Sequence, residues 1–302
     1  MDPDARLGSA AVSAHGQGSS IRAQGARMWI EREGTGEPVV IAGGGPGNGH
    51  AHYHPWFSAL AERFEVVYFD YIGTGRSDRL ANRGDYSIRR YADQIEAVRL
   101  CLGVQRIAVI GVSFGGMPAL DYPQRHPGAV KRLVLSNAQI SARTWQERNI
   151  DVVNEALRVH FPERWRTLTA MRDRGVRSLD AHYQELFAEL LEHLEWSEAQ
   201  HPQLEGDDFN APNLEVYAGI VGEDPEWEVT GTMAGFEPDL ALVSAPALVV
   251  TGRWDRMTTP AFAQELAPRL PDAELAVIEH SAHRPWAERP RDYFERVASF
   301  LA

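Results

Sequence analysis

The amino-acid sequence predicts an α/β fold, a mostly parallel sheet whose chain is interrupted by a helical cap. Three observations carry this expectation. Short apolar runs alternate with helical segments in the first half and again near the end; residues 139–240 contain no convincing core strand; and one strand runs directly into Gly111-Val112-Ser113-Phe114-Gly115. Strands separated by helices imply right-handed crossovers, and therefore parallel neighbours.

Taken in order, residues 1–24 are rich in Ala, Ser and Gly and read as a flexible leader. Residues 27–33 (RMWIERE) alternate as a half-exposed strand does, and Gly34-Thr35-Gly36 turns the chain into the apolar run 38–42. Residues 64–70 (FEVVYFD), 106–111 (RIAVIG) and 130–136 (VKRLVLS) repeat the pattern with helices between them. The rhythm then breaks. Residues 144–161, 162–174 and 179–196 read as amphipathic helices, the last with Tyr183, Leu186, Leu190 and Leu194 at helical spacing, and 201–213 as a polar connector. Strands resume at 247–252 (ALVVTG) and 273–278 (AELAVI), and a helix over 290–301 closes the chain. The expected organisation is a leader (1–24), a core (25–138 and 241–302) and a helical cap (139–240) lying over a site.

Composition narrows the function. The 302 residues are 44% hydrophobic and 24% charged, an ordinary globular balance. Net charge is −12 and Lys131 is the sole lysine. A nucleic-acid partner would call for a concentrated basic stripe, and the arginines are scattered among acids instead. No apolar run approaches the roughly 18 residues that cross a bilayer. The start of the chain lacks the basic and apolar regions of a secretory signal, so a cytoplasmic protein is expected. Cys101 stands alone, which excludes a disulfide within the chain and a cysteine metal cluster; a buried structural thiol is the expectation.

The chemistry centres on G-x-S-x-G in a strand-to-helix context, where flanking glycines let the chain turn sharply and present the Ser113 hydroxyl at the tip of the sheet. A serine hydroxyl needs a base to take its proton and a carboxylate to hold that base. In this architecture the chain order is Ser, acid, His. Asp255 follows the strand ALVVTG, and His283 follows AELAVI through His280-Ser281-Ala282. His280 competes for the base role but lies too close to its strand, and Asp272 and Glu279 do not follow a strand in the required turn. An oxyanion needs donors: the N–H of Phe114 supplies one, and the turn Gly43-Gly44-Gly45-Pro46-Gly47 a second, from Gly44 or Gly45. No Gly-Lys-Ser/Thr follows this glycine run, which argues against a phosphate loop. His50, His52 and His54 form an H-x-H-x-H run. No carboxylate nearby in sequence completes a metal set, so loop or cleft packing is expected, with neither metal nor cofactor.

These motifs resemble the proline iminopeptidase (prolyl aminopeptidase) branch of the α/β-hydrolases, over about residues 28–301. GGPGNGH (44–50) is similar to the family's HGGPGxxH, FDYIGTGRSD (69–78) to its D-Q-x-G-x-G-x-S turn, and EWEVTGT (226–232) with SAPALVVTGRWDRMTTP (244–260) to its cap-to-core junction. The resemblance implies Ser113, Asp255 and His283 as a catalytic triad, and Glu226 as a cap carboxylate that holds the substrate's free α-ammonium. Three positions depart: Gly43 replaces a His, Tyr71 a Gln, and Arg256 follows the triad acid where some members place a second acid. A cation there would oppose an ammonium and meet a carboxylate or phosphate instead. The cap aromatics Trp145, Trp165, Tyr183, Phe187, Tyr217 and Trp227 are numerous enough to line an apolar acyl pocket, with Trp227 favoured because it adjoins Glu226. The expected function is release of an N-terminal aminoacyl group, proline or another, from a short peptide or amide through an acyl-enzyme. The alternatives are an aminoacyl amidase or esterase acting on a small secondary metabolite or biosynthetic intermediate, and a non-catalytic binding protein on the same fold.

Overall fold

A computed structural model describes residues 18–194 and 212–302. Eight strands form one sheet: β1 (Ser19–Ala23), β2 (Ala26–Gly34), β3 (Pro38–Ala42), β4 (Glu65–Phe69), β5 (Ile107–Val112), β6 (Val130–Ser136), β7 (Ala247–Gly252) and β8 (Ala273–Ile278). Their order is β1-β2-β4-β3-β5-β6-β7-β8. The β1–β2 and β2–β4 pairs are antiparallel, and every later pair is parallel. The two-residue alternation of a strand sorts its side chains to opposite faces. In β5, Ile107 and Val109 join one apolar core, while Ala108, Ile110 and Val112 join the other. With both faces covered, all six residues of this central strand are buried.

Helices close both faces. On one side, α1 (Ile88–Leu102) starts where the Ser87 side chain accepts the Arg90 N–H and stops at Gly103 in the left-handed region. Its buried stripe Ile88, Tyr91, Ala92, Ile95 and Val98 packs with α2 (Gly116–Arg125) on the first core. On the other side, the C-terminal helix Pro290–Leu301 inserts Tyr293, Phe294 and Val297 beside Phe57 and Trp286.

After β6 the chain leaves the sheet. It forms α3 (Ala142–Trp145), a π turn, α4 (Asp151–His160), α5 (Pro162–Asp173), α6 (Ala181–Leu194) and α7 (Leu214–Ile220). The cap has its own small core, with Leu157, Leu168, Met171, Tyr183 and Phe187 buried together. The end of the third expected helix and most of the connector 201–213 lie outside the described residues. The short α7 was not expected; Asn213 starts it, its side chain accepting the Glu215 N–H. Asn213 also donates its N–H to the Gly47 carbonyl at 3.0 Å and its amide to the Gly73 carbonyl at 2.7 Å, joining the cap to two loops of the core.

Two expectations need correction. The leader boundary at residue 24 is too late, because Ser19–Ala23 is a strand registered on β2. Its sequence SSIRA is short and polar, as an edge strand can be, and so carries no apolar alternation to detect. Cys101 is exposed. In the last turn of α1 it is Leu102 that packs toward the core. Among the described residues no helix is long and apolar enough to cross a membrane.

Candidate active site

The candidate site lies at the carboxyl ends of β5, β7 and β8, where open α/β sheets form ligand crevices. Ser113 directly follows β5, with φ of 51°, and opens the turn that leads into α2. Gly115 makes the turn possible, since a Cβ there would lie 2.0 Å from the Ala42 carbonyl oxygen. Ser113 Oγ is 3.1 Å from His283 Nε2, and His283 Nδ1 is 2.9 Å from Asp255 Oδ2. The carboxylate draws the imidazole proton to Nδ1 and leaves the Nε2 lone pair facing the serine hydroxyl. A hydroxyl, an imidazole and a carboxylate thus form a hydrogen-bonded series in which the imidazole can take the serine proton and the carboxylate can balance the charge that results.

Asp255 is only 3% exposed. It accepts bonds from the Asn137 amide at 2.6 Å and from the Met257 and Thr258 N–H groups at 2.8 and 3.0 Å, as well as from the Thr258 hydroxyl. Burial pushes its carboxyl upward, but the facing His283 and the bonds from His283, Asn137 and Thr258 outweigh burial and hold its pKa at about 2. His280, the rival base, is exposed and packs edge-on against Trp254. Glu279, a rival acid, pairs with Arg253, and Asp272 is exposed.

The expected oxyanion donors divide. Phe114 follows Ser113 at the start of the helical turn, where N–H groups have no intrahelical acceptor. The Gly45 N–H has no acceptor among the described residues. Gly44 departs from expectation: its N–H already donates to the Tyr53 hydroxyl at 2.5 Å. Tyr53 directly follows the 3-10 turn His50–His52, and its loop position hid this bond from any reading of motifs.

His50 also departs from expectation, because carboxylates do surround it. Its Nδ1 lies 2.8 Å from Asp70 Oδ1 and its Nε2 3.2 Å from Glu31 Oε2. Burial opposes its charge, but these two carboxylates overcome burial and raise its pKa to about 9. Glu31 and Asp70 belong to β2 and to the end of β4, so sequence distance concealed them. His52 and His54 line the cavity. Among the described residues, no group of His, Cys, Asp and Glu is arranged to hold a metal ion.

The cavity over Ser113 measures about 630 Å³. Glu226 reaches it from the cap and accepts the Tyr217 hydroxyl at 3.1 Å. Its backbone is held by the Asn154 amide on its carbonyl at 2.8 Å and by its own N–H on Ser178 Oγ at 3.3 Å. Burial pushes its carboxyl up to about 7, with Tyr217 opposing and Asp224 adding to the rise. The neighbouring acids turn elsewhere, Glu223 to Arg83 and Asp224 to Arg172.

Two expected binding residues are misplaced. Trp227 does not line the cavity. Its ring stacks on Trp165 at 5.1 Å, lies 3.9 Å beneath the Arg172 guanidinium and donates to the Tyr183 hydroxyl at 2.5 Å. Residues 225–227 form a turn, closed by the Trp227 N–H on the Asp224 carbonyl at 2.9 Å, from which Glu226 leaves toward the cavity and Trp227 toward the cap core. Arg256 is exposed and outside the cavity wall, whereas Met257 and Arg284 are on it. Of the six cap aromatics, Trp145, Phe187 and Tyr217 reach the cavity. Tyr71 is core, stacked on Tyr91 at 4.0 Å. Asn137, Thr258, Tyr53 and Arg284 went unnoticed in the sequence; only Asn137, directly after a strand at the crevice end, had a signal that could have found it.

Comparisons with known proteins agree with this architecture. The model of the alpha/beta hydrolase fold family matches residues 37–290. A proline iminopeptidase from Heyndrickxia coagulans is 27% identical over 282 residues, covering 90% of this chain and 93% of that protein. The crystal structure of a Mycobacterium smegmatis proline iminopeptidase superposes with a TM-score of 0.75 at 26% identity, covering 94% of this chain and 97% of that one. Est816, described as an N-acyl homoserine lactone degrading enzyme, gives 0.63 at 25% identity, covering 93% and 100%. By its sheet order, its serine turn and a family match spanning most of its length, the chain belongs to the α/β hydrolase fold family.

Proposed function

We propose that this chain is a serine hydrolase that releases an N-terminal aminoacyl group from a short peptide or amide. His283 takes the Ser113 proton as Oγ attacks the substrate carbonyl, and Asp255 holds the imidazole and balances its charge. The N–H groups of Phe114 and Gly45 face the oxygen that becomes negative. His283 then gives the proton to the leaving amine, and a water attacks the acyl-enzyme by the same route in reverse. No cofactor enters.

The observation that carries the aminoacyl reading is Glu226, a carboxylate on the wall of the cavity that holds Ser113. An exopeptidase must recognise a chain end, and a half-buried carboxylate on the cavity wall is an ammonium partner. The named activity of the proline iminopeptidase relatives supports the same choice.

Glu226→Gln keeps the shape and removes the charge. Its expected effect is a loss of about 2 to 5 kcal/mol in transition-state binding of free-amine aminoacyl-naphthylamides, with N-acetylated analogues poor in both forms. Because the Glu226 carboxyl titrates at about 7, wild-type kcat/KM for free-amine substrates should fall as pH drops through 7 and the carboxylate is neutralised, and the Gln variant should lack that contribution. Equal losses on free and acetylated substrates would make Glu226 structural.

A second reading, an aminoacyl amidase or esterase on a small metabolite, is favoured by the cavity volume of about 630 Å³, well beyond one prolyl group and within the range of drug-sized ligands. A panel of p-nitrophenyl esters beside the naphthylamides separates the two.

A further inference from the structure

We propose that the Tyr53 hydroxyl is a catalytic residue, a side-chain donor to the oxyanion in the position expected of the Gly44 N–H. The proposal rests on Ser113 being the nucleophile. Tyr53 lies on the cavity wall, 5% exposed. Its oxygen accepts the Gly44 N–H at 2.5 Å, while among the described residues its own proton has only the Gly44 carbonyl, at a long 3.3 Å. A hydroxyl that accepts a short hydrogen bond becomes a stronger donor through its remaining proton. The Gly44 dipole is thereby relayed through the phenol rather than lost.

The place is right for the reacting atoms. A Cβ built on Gly44 would lie 2.7 Å from Ser113 Cβ and 3.1 Å from Tyr53 Oη, so the phenol oxygen and the serine border the same small space. A tetrahedral oxygen formed at Ser113 offers the phenol proton a charged acceptor, which outcompetes a distant neutral carbonyl. The ring is held for this purpose. It packs on Phe57 and Trp286 with centroids 5.8 and 6.0 Å away, and the Tyr53 N–H donates to the His50 carbonyl at 2.9 Å. His50 is itself fastened between Glu31 and Asp70.

Gly43 fits the same arrangement. A Cβ at that position would lie 2.8 Å from Tyr53 Cε2, so the tyrosine ring occupies the space a side chain at position 43 would need. The glycine that departs from the resembled motif and the tyrosine that holds Gly44 are therefore one feature. Burial pushes the phenol up to about 12, against smaller lowering effects of the Gly44 bond and Arg284, so the donor keeps its proton throughout the neutral range.

The test uses a fluorophosphonate probe, which needs no knowledge of the natural substrate. Ser113 Oγ bonds to phosphorus, the P–F bond breaks, fluoride leaves, the serine proton passes to His283, and negative charge builds on the phosphoryl oxygen. Tyr53→Phe keeps the ring and removes the donor. The expected result is a fall of about 10²-fold in the inactivation rate and in kcat for a p-nitrophenyl ester, with KM nearly unchanged. Wild-type rates in a folded Phe variant overturn the proposal. Ser113→Ala, run alongside, separates the two ideas: probe labelling that persists in it overturns the nucleophile assignment instead. Should the Phe variant not fold, 3,5-difluorotyrosine placed at position 53 decides, because its phenol ionises at lower pH. The alkaline limb of the inactivation rate then moves to lower pH, and a limb that stays in place overturns the proposal.

Discussion

The cavity has two walls built by different means. On the sheet side, Ser113, Asp255 and His283 each sit one turn beyond a strand end, and Asp255 is held largely by groups within three residues of it, the Met257 and Thr258 N–H groups and the Thr258 hydroxyl. On the cap side, the Glu226 backbone is held by Asn154 and Ser178 and the Trp227 ring by Arg172 and Tyr183, all far along the chain, with Tyr217 nearer on the Glu226 carboxylate. The first wall is thus set mainly by local turns and the second by packing between distant segments. In the proposed function, the chemistry falls to the sheet edge and the recognition of the amine to the cap.

The sharpest break of this contrast is at the sheet edge. Ser113→Ala or His283→Ala should lower kcat by roughly 10⁴- to 10⁶-fold and leave the fold intact, while His280→Ala has a mild effect. Steady-state kinetics and circular dichroism check both halves, and a dead His280 variant beside an active His283 variant would reverse the assignment of the base. On the cap, Trp227→Ala should act on stability rather than on selectivity. Loss of its contacts with Trp165, Arg172 and Tyr183 is expected to cost about 3 kcal/mol, read by denaturant titration, with the preference among acyl side chains preserved. A shifted acyl preference would put the ring back in the pocket. The smallest effect is expected at Arg256, exposed and off the cavity wall. Arg256→Glu should leave kcat/KM for a simple aminoacyl amide within about twofold, since surface changes away from special features stay near 0.5 kcal/mol. Faster turnover would bring that charge into the site.

The same contrast explains what could be read from the sequence. The serine turn and the order Ser113, Asp255, His283 were legible because each depends on a strand, a turn and a few neighbouring residues. The third expected helix from 179 was legible through its periodicity and the strand 247–252 as a short apolar run, and the structure has α6 beginning at Ala181 and β7 over Ala247–Gly252. Trp227 and Arg256 were misjudged because each was placed by adjacency to a site residue, whereas both lie in turns or bends, where adjacency along the chain does not fix a shared direction. The carboxylates around His50 were invisible for another reason: Glu31 and Asp70 meet that ring only once β2 and β4 have paired. Tyr53 combines both difficulties, lying in a loop and acting on a glycine nine residues away.

Asn213 has a consequence for modularity. Its N–H and its amide bolt the returning cap segment to the carbonyls of Gly47 and Gly73, one in the glycine turn beside the serine and one in the loop after β4. A Cβ on Gly47 would lie 2.5 Å from the Asn213 carbonyl oxygen, so the two backbones touch without room for adjustment. The cap is therefore not a cartridge that can be exchanged between relatives at its helix ends. A graft that altered this single junction would transmit its misfit into the glycine turn beside Ser113, so that diversification of the roof is constrained by the floor it is fastened to.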